Sequence, residues 1–344
     1  MRDQIINKAG IEAYEYVSSF VNVESNDTLL LATTNAFNLS NHGKIVKSVV
    51  NFSKVNNIRF INKFFETVNQ QLELGDYYIG CFETYTAKQK RQWIGKIPIL
   101  GSLYGGVEFM FHRVFPKLWG FKKVYFAFTR GRNRLLSKAE VLGRLVCCGF
   151  EIKEYKEINK RTYFVVTKSG TPAFDMKPSY GPIYKMPRIG KHGRIIHVYK
   201  FRTMHPYSEY LQDYVLNRNG YAQTGKPAND FRLTPWGGFL RRYWLDELPQ
   251  LLNIVKGELK LVGIRPVGER YLQDIPADLR ELRLSQKPGC IPPYVALDTG
   301  ADVKSVQNAE RRYLAEKLRR PYTTDLRYFF RALFVIVFLK KRSA

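Results

Sequence analysis

Two stretches decide the reading of this chain: Gly181–Met204 (GPIYKMPRIGKHGRIIHVYKFRTM) and Asn229–Pro266 (NDFRLTPWGGFLRRYWLDELPQLLNIVKGELKLVGIRP). In the first, Ile183–Tyr184 and Ile195–Tyr199 read as strands, and the basic turn Arg188–Arg194 between them predicts a hairpin. In the second, Trp236–Trp244 reads as a short amphipathic helix. Leu248–Lys256 reads as another, with Pro249 tolerated in its first turn and Gly257 past its end. Asp246 and Glu247 thereby stand at a helix start, where exposed backbone N–H groups and the helix dipole favour negative charge, so both are expected to be ionised. An ionised Asp can attack phosphorus, and a neighbouring Glu can hold Mg²⁺. The plain alternative makes Asp246 an N-cap and Glu247 a first-turn acid. Lys200, Arg202, Arg241 and Arg265 fall at element ends in the same block, the convergent cations that a diphosphate requires.

The block resembles the bacterial sugar transferase family of monotopic phosphoglycosyl transferases. The resemblance rests on ordered pieces: Gly181–Tyr184, Arg188–Gly193, Tyr199–Met204, Asn229–Thr234, Gly238–Arg242, Leu245–Gln250, Asn253–Gly257 and Leu261–Pro266. It implies transfer of a sugar phosphate from a nucleotide-sugar, UDP-sugar in kind, to polyprenyl phosphate in surface polysaccharide or glycoconjugate synthesis. It further implies that Asp246 forms a covalent phosphosugar–enzyme, that Glu247 coordinates Mg²⁺, and that Arg241, Arg265, Lys200 and Arg202 bind substrate phosphates. The chain departs from the family pattern in several places. The polar residues 150–180 stand where the family has an apolar re-entrant helix, Ile264 stands where Pro precedes Arg-Pro, and Cys290–Val295 replaces a small-residue stretch.

Outward from this block, the chain is an α/β protein of 344 residues. Residues 1–168 form one domain, 169–180 a Ser/Gly/Pro-rich linker and 181–344 an α+β transferase domain. In the first domain Thr28–Thr33, Ile58–Phe60, Tyr77–Phe82 and Val124–Phe128 read as strands. Ser137–Cys148 reads as a Ser-capped helix stopped at Gly149, and Phe150–Ile158 with Thr162–Thr167 as a hairpin. This ending resembles class I methyltransferase-like, Rossmann-type domains. The turn Ala32–Ala36, however, lacks the glycine that such enzymes use to bring backbone close to their nucleoside cofactor, so a degenerate, scaffolding domain is expected.

Fifty-five Lys and Arg against 30 Asp and Glu leave a formal charge of +25, which points to phosphorylated or anionic partners. Four cysteines, two of them adjacent, make neither a disulfide framework nor a zinc set. The first residues lack the apolar core of a secretory signal. The longest unbroken apolar run, Ala332–Leu339, is far short of the roughly 20 residues of a spanning helix. The expected location is therefore cytoplasmic, peripheral to the inner face of the membrane. Contact is expected through Tyr328–Leu339, flanked by Arg327 and Lys340–Arg342, and through the aromatic stretch Ile97–Trp119; each could instead be a packed helix. His197 and His205 read as structural. A homodimer is a further partner open to the chain. The competing readings are a catalytically altered family member that serves an assembly complex and a nucleic-acid binder acting through bulk charge.

Overall fold

The computed structural model describes residues 2–40, 46–92, 97–118, 120–173, 181–220, 227–300 and 302–339. The chain divides into two units, Met1–Tyr180 with His205–Val215, and Gly181–Met204 with Leu216–Ala344. The segment His205–Val215, which the sequence reading places in the second domain, thus packs within the first unit. Gly143 permits this, because a Cβ there would overlap the Tyr207 backbone carbonyl. Arg144 lies over the Tyr207 ring at 4.3 Å and Asn62 donates to its hydroxyl at 2.9 Å.

Unit 1 is built on a five-stranded sheet in the order β1-β2-β3-β5-β4, with β1 Thr28–Leu31, β2 Ser48–Lys54, β3 Tyr77–Phe82, β4 Phe150–Ile158 and β5 Arg161–Lys168. β1, β2 and β3 are parallel, and the β4–β5 hairpin joins antiparallel to β3. Its two-residue turn puts Asn159 and Lys160 at positive φ, as a right-twisted hairpin demands. Among the described residues, the parallel strands β1, β2 and β3 follow one another in sequence order without reversal.

Two expected strands are absent. Ile58–Phe60 follows a 3₁₀ turn and leads into the Ile61–Gln70 helix, and Val124–Phe128 lies inside the Phe121–Thr129 helix. There Phe121, Val124 and Phe128 recur at helical spacing while Tyr125 is buried, so the apolar period is 3.6 and not 2. The strand that takes the vacant place, β2, was hidden by its polar residues. Asn51 is buried and bonded to the backbone N–H and carbonyl of Thr33, at 3.2 and 2.9 Å, which satisfies groups that a central strand would otherwise strand. Ser137 caps the Lys138–Cys147 helix by accepting from Glu140 N.

The start of the expected linker is tied down. Ser169 and Gly170 donate to Gly149 O, and Ala173 to Cys147 O. Residues 174–180 lie outside the described residues.

Unit 2 opens with the antiparallel hairpin β6 Ile183–Ile189 and β7 Ile195–Phe201, as the basic turn predicts. A short parallel pair follows, β8 Lys260–Val262 and β9 Gly289–Ile291. A side chain at Gly289 would overlap the Gly263 backbone, so this contact depends on glycine. Val262, Ile264, Leu279, Val295, Tyr313, Tyr328 and Ala332 form the core beside it. The terminal helix runs Thr323–Val337. Tyr328 and Ala332 join that core and Val335 is also buried, while Phe330, Phe334 and Val337 are exposed. It is a core helix on one face and apolar surface on the other; the basic residues 340–342 lie outside the described residues. Among the described residues no helix is long and apolar enough to cross a membrane.

Candidate active site

The carboxylate pair is positioned by a change of backbone direction. The Pro235–Arg242 helix begins with Thr234 as its cap, accepting from Gly237 N, and a Cβ on Gly237 would overlap the Thr203 carbonyl. After this helix Trp244 takes a left-handed conformation, φ 60°, and the chain enters a 3₁₀ turn, Leu245–Gln250. The expected single helix over Leu248–Lys256 is thus a 3₁₀ turn followed by a shorter α-helix, Leu251–Val255, with Gly257 at φ 71° beyond it. Pro249 has no N–H to donate, which disfavours regular α-helical bonding at this entrance.

Asn253 fixes the arrangement to the hairpin. It is fully buried, accepts from Tyr199 N at 3.0 Å and donates to His197 O at 2.8 Å and to Glu258 Oε2 at 2.6 Å. Its place in the Asn253–Gly257 piece marks it as part of the pattern, but nothing local shows that two of its partners, His197 and Tyr199, lie on β7.

Glu247 accepts from Lys200 Nζ at 2.6 Å, with Arg265 NH2 at 3.8 Å on the same oxygen. Asp246 is only 7 % exposed, and its Oδ1 has no hydrogen-bond partner. Burial raises the Asp246 pKa above the ordinary carboxylate value. Lys200 opposes the rise, Glu247 adds to it, and Arg241 opposes it. The side chain therefore does not cap the helix, and the stabilised anion expected at a helix start is replaced by a desolvated one. Arg241 donates from Nε to Thr203 Oγ1 at 2.9 Å; burial lowers its pKa, against the attraction of Asp246 and Asp230.

Lys200, Glu247 and Arg265 share the wall of a cavity of about 320 Å³ with Arg188, Gln250 and Tyr271. The structure thus brings Lys200 and Arg265 to Glu247, and Arg241 into the field of Asp246. Arg202 is held at the hairpin end, donating to Gly181 O at 3.0 Å and lying over the Tyr184 ring at 5.2 Å. Arg188 was quoted in the sequence pattern without a role. It donates to its neighbour's carbonyl, Pro187 O, and its pKa is lowered by burial and by Arg265. His197 contributes its carbonyl to Asn253, and His205 sits 3.3 Å from Arg113 in unit 1.

Two adjacent carboxylates, one with an unbonded oxygen, fit a cation that completes its shell with water and substrate phosphate, as Mg²⁺ does. No cluster of three or more ligating side chains, as an all-protein cage would need, occurs among the described residues.

Residues 171–338 match the family model described as bacterial sugar transferase. The undecaprenyl-phosphate galactose phosphotransferase of Salmonella typhimurium is 38% identical over 136 residues, 37% of this chain and 26% of that protein. The exopolysaccharide production protein ExoY of Rhizobium meliloti is 45% identical over 91 residues, 25% of this chain and 40% of that protein. The UDP-glucose:undecaprenyl-phosphate glucose-1-phosphate transferase of Escherichia coli is 39% identical over 116 residues, 32% of this chain and 22% of that protein. The chain thus spans between 22% and 40% of the length of these relatives. An O-methyltransferase family protein from Burkholderia thailandensis is a distant structural neighbour, with 12% identity and a TM-score of 0.24 over 48% of this chain and 41% of that one. That likeness is too slight to carry an argument about the fold or the function of unit 1.

Proposed function

We propose, on the premise that residues 171–338 are a bacterial sugar transferase domain, that this chain transfers a sugar phosphate from a UDP-sugar to polyprenyl phosphate. The observation that carries the proposal is Asp246: a buried carboxylate with an unbonded oxygen, next to a glutamate that Lys200 and Arg265 hold at a cavity wall. A carboxylate kept out of water and left short of hydrogen bonds retains nucleophilic capacity that solvation would quench.

In the first half-reaction an Asp246 oxygen bonds to the donor's β-phosphorus as the bond to the nucleoside monophosphate breaks. In the second, an oxygen of the lipid phosphate bonds to that phosphorus and the Asp246 carboxylate leaves. Lys200, Arg241 and Arg265 offset the phosphate charge that would otherwise repel Asp246, with Arg202 the next cation along the hairpin end. Mg²⁺ held through Glu247, with Asp246 adjacent, would neutralise diphosphate charge. The reaction would take place at the cytoplasmic face of the membrane, where the terminal helix's exposed Phe330, Phe334 and Val337 meet lipid.

The test is intact-mass analysis after exposure to a set of UDP-sugars with Mg²⁺. Wild type should gain a sugar-phosphate mass and release UMP, and Asp246→Asn should do neither. Full turnover by the Asn variant, or turnover without an adduct under single-turnover conditions, would sink the covalent route.

A further inference from the structure

Unit 1 carries a surface whose polarity is reversed. The Pro98–Phe109 helix turns Gly101, Gly105 and Glu108 inward, and a Cβ at Gly105 would press on the Gln89 side chain. Its large apolar residues face out: Leu100, Leu103 (65 % exposed), Val107 (69 %) and then Met110 recur at helical spacing. The Phe121–Thr129 helix repeats the pattern with Phe121, Val124 and Phe128, the last 83 % exposed. The two faces are continuous. Phe111 packs on Phe115 at 5.8 Å between ring centroids and on Tyr125 at 5.5 Å, and Phe115 packs on Phe121 at 5.0 Å. An apolar patch of this extent marks an interaction site.

Charge identifies the occupant. Between Ile97 and Ser137 the sequence holds a single carboxylate, Glu108, which is buried and paired with Lys88 at 2.6 Å. The exposed charged residues of that same stretch are all cations: Lys122, Lys123, Arg130 and Arg132. A second copy of the same face would oppose cation to cation, whereas an anionic lipid surface accepts both the apolar side chains and the basic ones. We infer that this face of unit 1, from Leu100 through Phe128, inserts into the headgroup layer of an anionic membrane. Such binding is independent of the transfer chemistry, so vesicles alone can test it.

Full-length protein is sedimented with phosphatidylcholine vesicles and with vesicles containing phosphatidylglycerol. The expected result is binding that favours the anionic vesicles and weakens with salt. The combined variant Leu103→Glu, Val107→Glu, Phe128→Glu alters only exposed side chains and should keep the wild-type melting temperature. It should lower the partition coefficient by about tenfold or more. Lys122→Glu with Lys123→Glu should lower binding to anionic vesicles by about tenfold and leave the weak neutral-vesicle binding unchanged. The inference is overturned if wild type ignores vesicles, or if a folded triple variant binds as wild type does. It is also overturned if only Phe334→Glu in the terminal helix reduces binding, or if the triple variant instead abolishes a concentration-dependent dimer. Should the triple variant not fold, the Lys122/Lys123 pair decides by the same criterion.

Discussion

Glu140 in unit 1 and Asp246 in unit 2 are both nearly inaccessible carboxylates set among cations, yet they are held in opposite ways. Glu140 is 1 % exposed and bonded on both oxygens, to Arg113 at 2.9 Å, Arg144 at 3.0 Å and Lys117 at 3.5 Å. Burial pushes its pKa up, but the Lys117, Arg113 and Arg144 charges overcome this and hold it well below the ordinary value. Asp246 has cations nearby but an unbonded oxygen, and burial prevails, so its pKa rises. The first arrangement spends its cations on saturating a carboxylate and fixes the fold. The second leaves a carboxylate under-solvated, which suits the nucleophilic role proposed for it.

The largest expected effect tests the structural side of this contrast. Glu140→Ala leaves Arg113 and Arg144 buried without their carboxylate and should destabilise the protein by about 3–5 kcal/mol in denaturant unfolding. A loss below ~1 kcal/mol would mean that the cluster is solvated in solution. Next, Lys200→Met should reduce turnover about 10²-fold or more while shifting stability little. The reverse result, a stability loss with activity kept, would make Glu247 another Glu140.

Asn253→Ala removes three hydrogen bonds, two of which join the carboxylate-bearing segment to the hairpin. It should cost about 2–3 kcal/mol, read by thermal unfolding, because buried partners are left unbonded.

The smallest effect has the most diagnostic sign. Asp246's raised pKa means that ionising it opposes folding, so Asp246→Asn should raise the melting temperature slightly at neutral pH. That gain should vanish as pH falls below the ordinary aspartate range, where the wild-type group is protonated in both folded and unfolded chains. Glu140 has the opposite dependence. Its stabilisation is full above the ordinary glutamate range and is lost as pH falls through its depressed pKa.

Much of the site was legible because it is local. The carboxylate pair, the turn at Gly257, the hairpin around Arg188–Arg194 and the cations at element ends follow from residue type and spacing along a short block. Asn253 and Arg188 were visible as letters but not as roles, since the strand that Asn253 bridges lies more than 50 residues away. In unit 1, the β4–β5 hairpin and the Ser137-capped helix were legible from turn and cap chemistry. β2 was missed because its buried Asn51 reads as polar until its partner at Thr33 is known, and Val124–Phe128 was misread because five apolar residues carry too little period to separate helix from strand.

The sequence by itself determined the elements whose signals lie within a turn or two, and it placed Asp246, Glu247 and their cations within reach of one another. Only the tertiary structure decided the electrostatic state of the pair. Local helix-start chemistry predicts two stabilised anions, whereas packing leaves Asp246 largely buried with an unbonded oxygen and gives Lys200 and Arg265 to Glu247. It also decided that Gly101 and Gly105 of the Pro98–Phe109 helix turn inward while Leu100 and Leu103 turn outward. Burial depends on what packs against a residue from elsewhere in the chain, and that information is not contained in the neighbouring sequence.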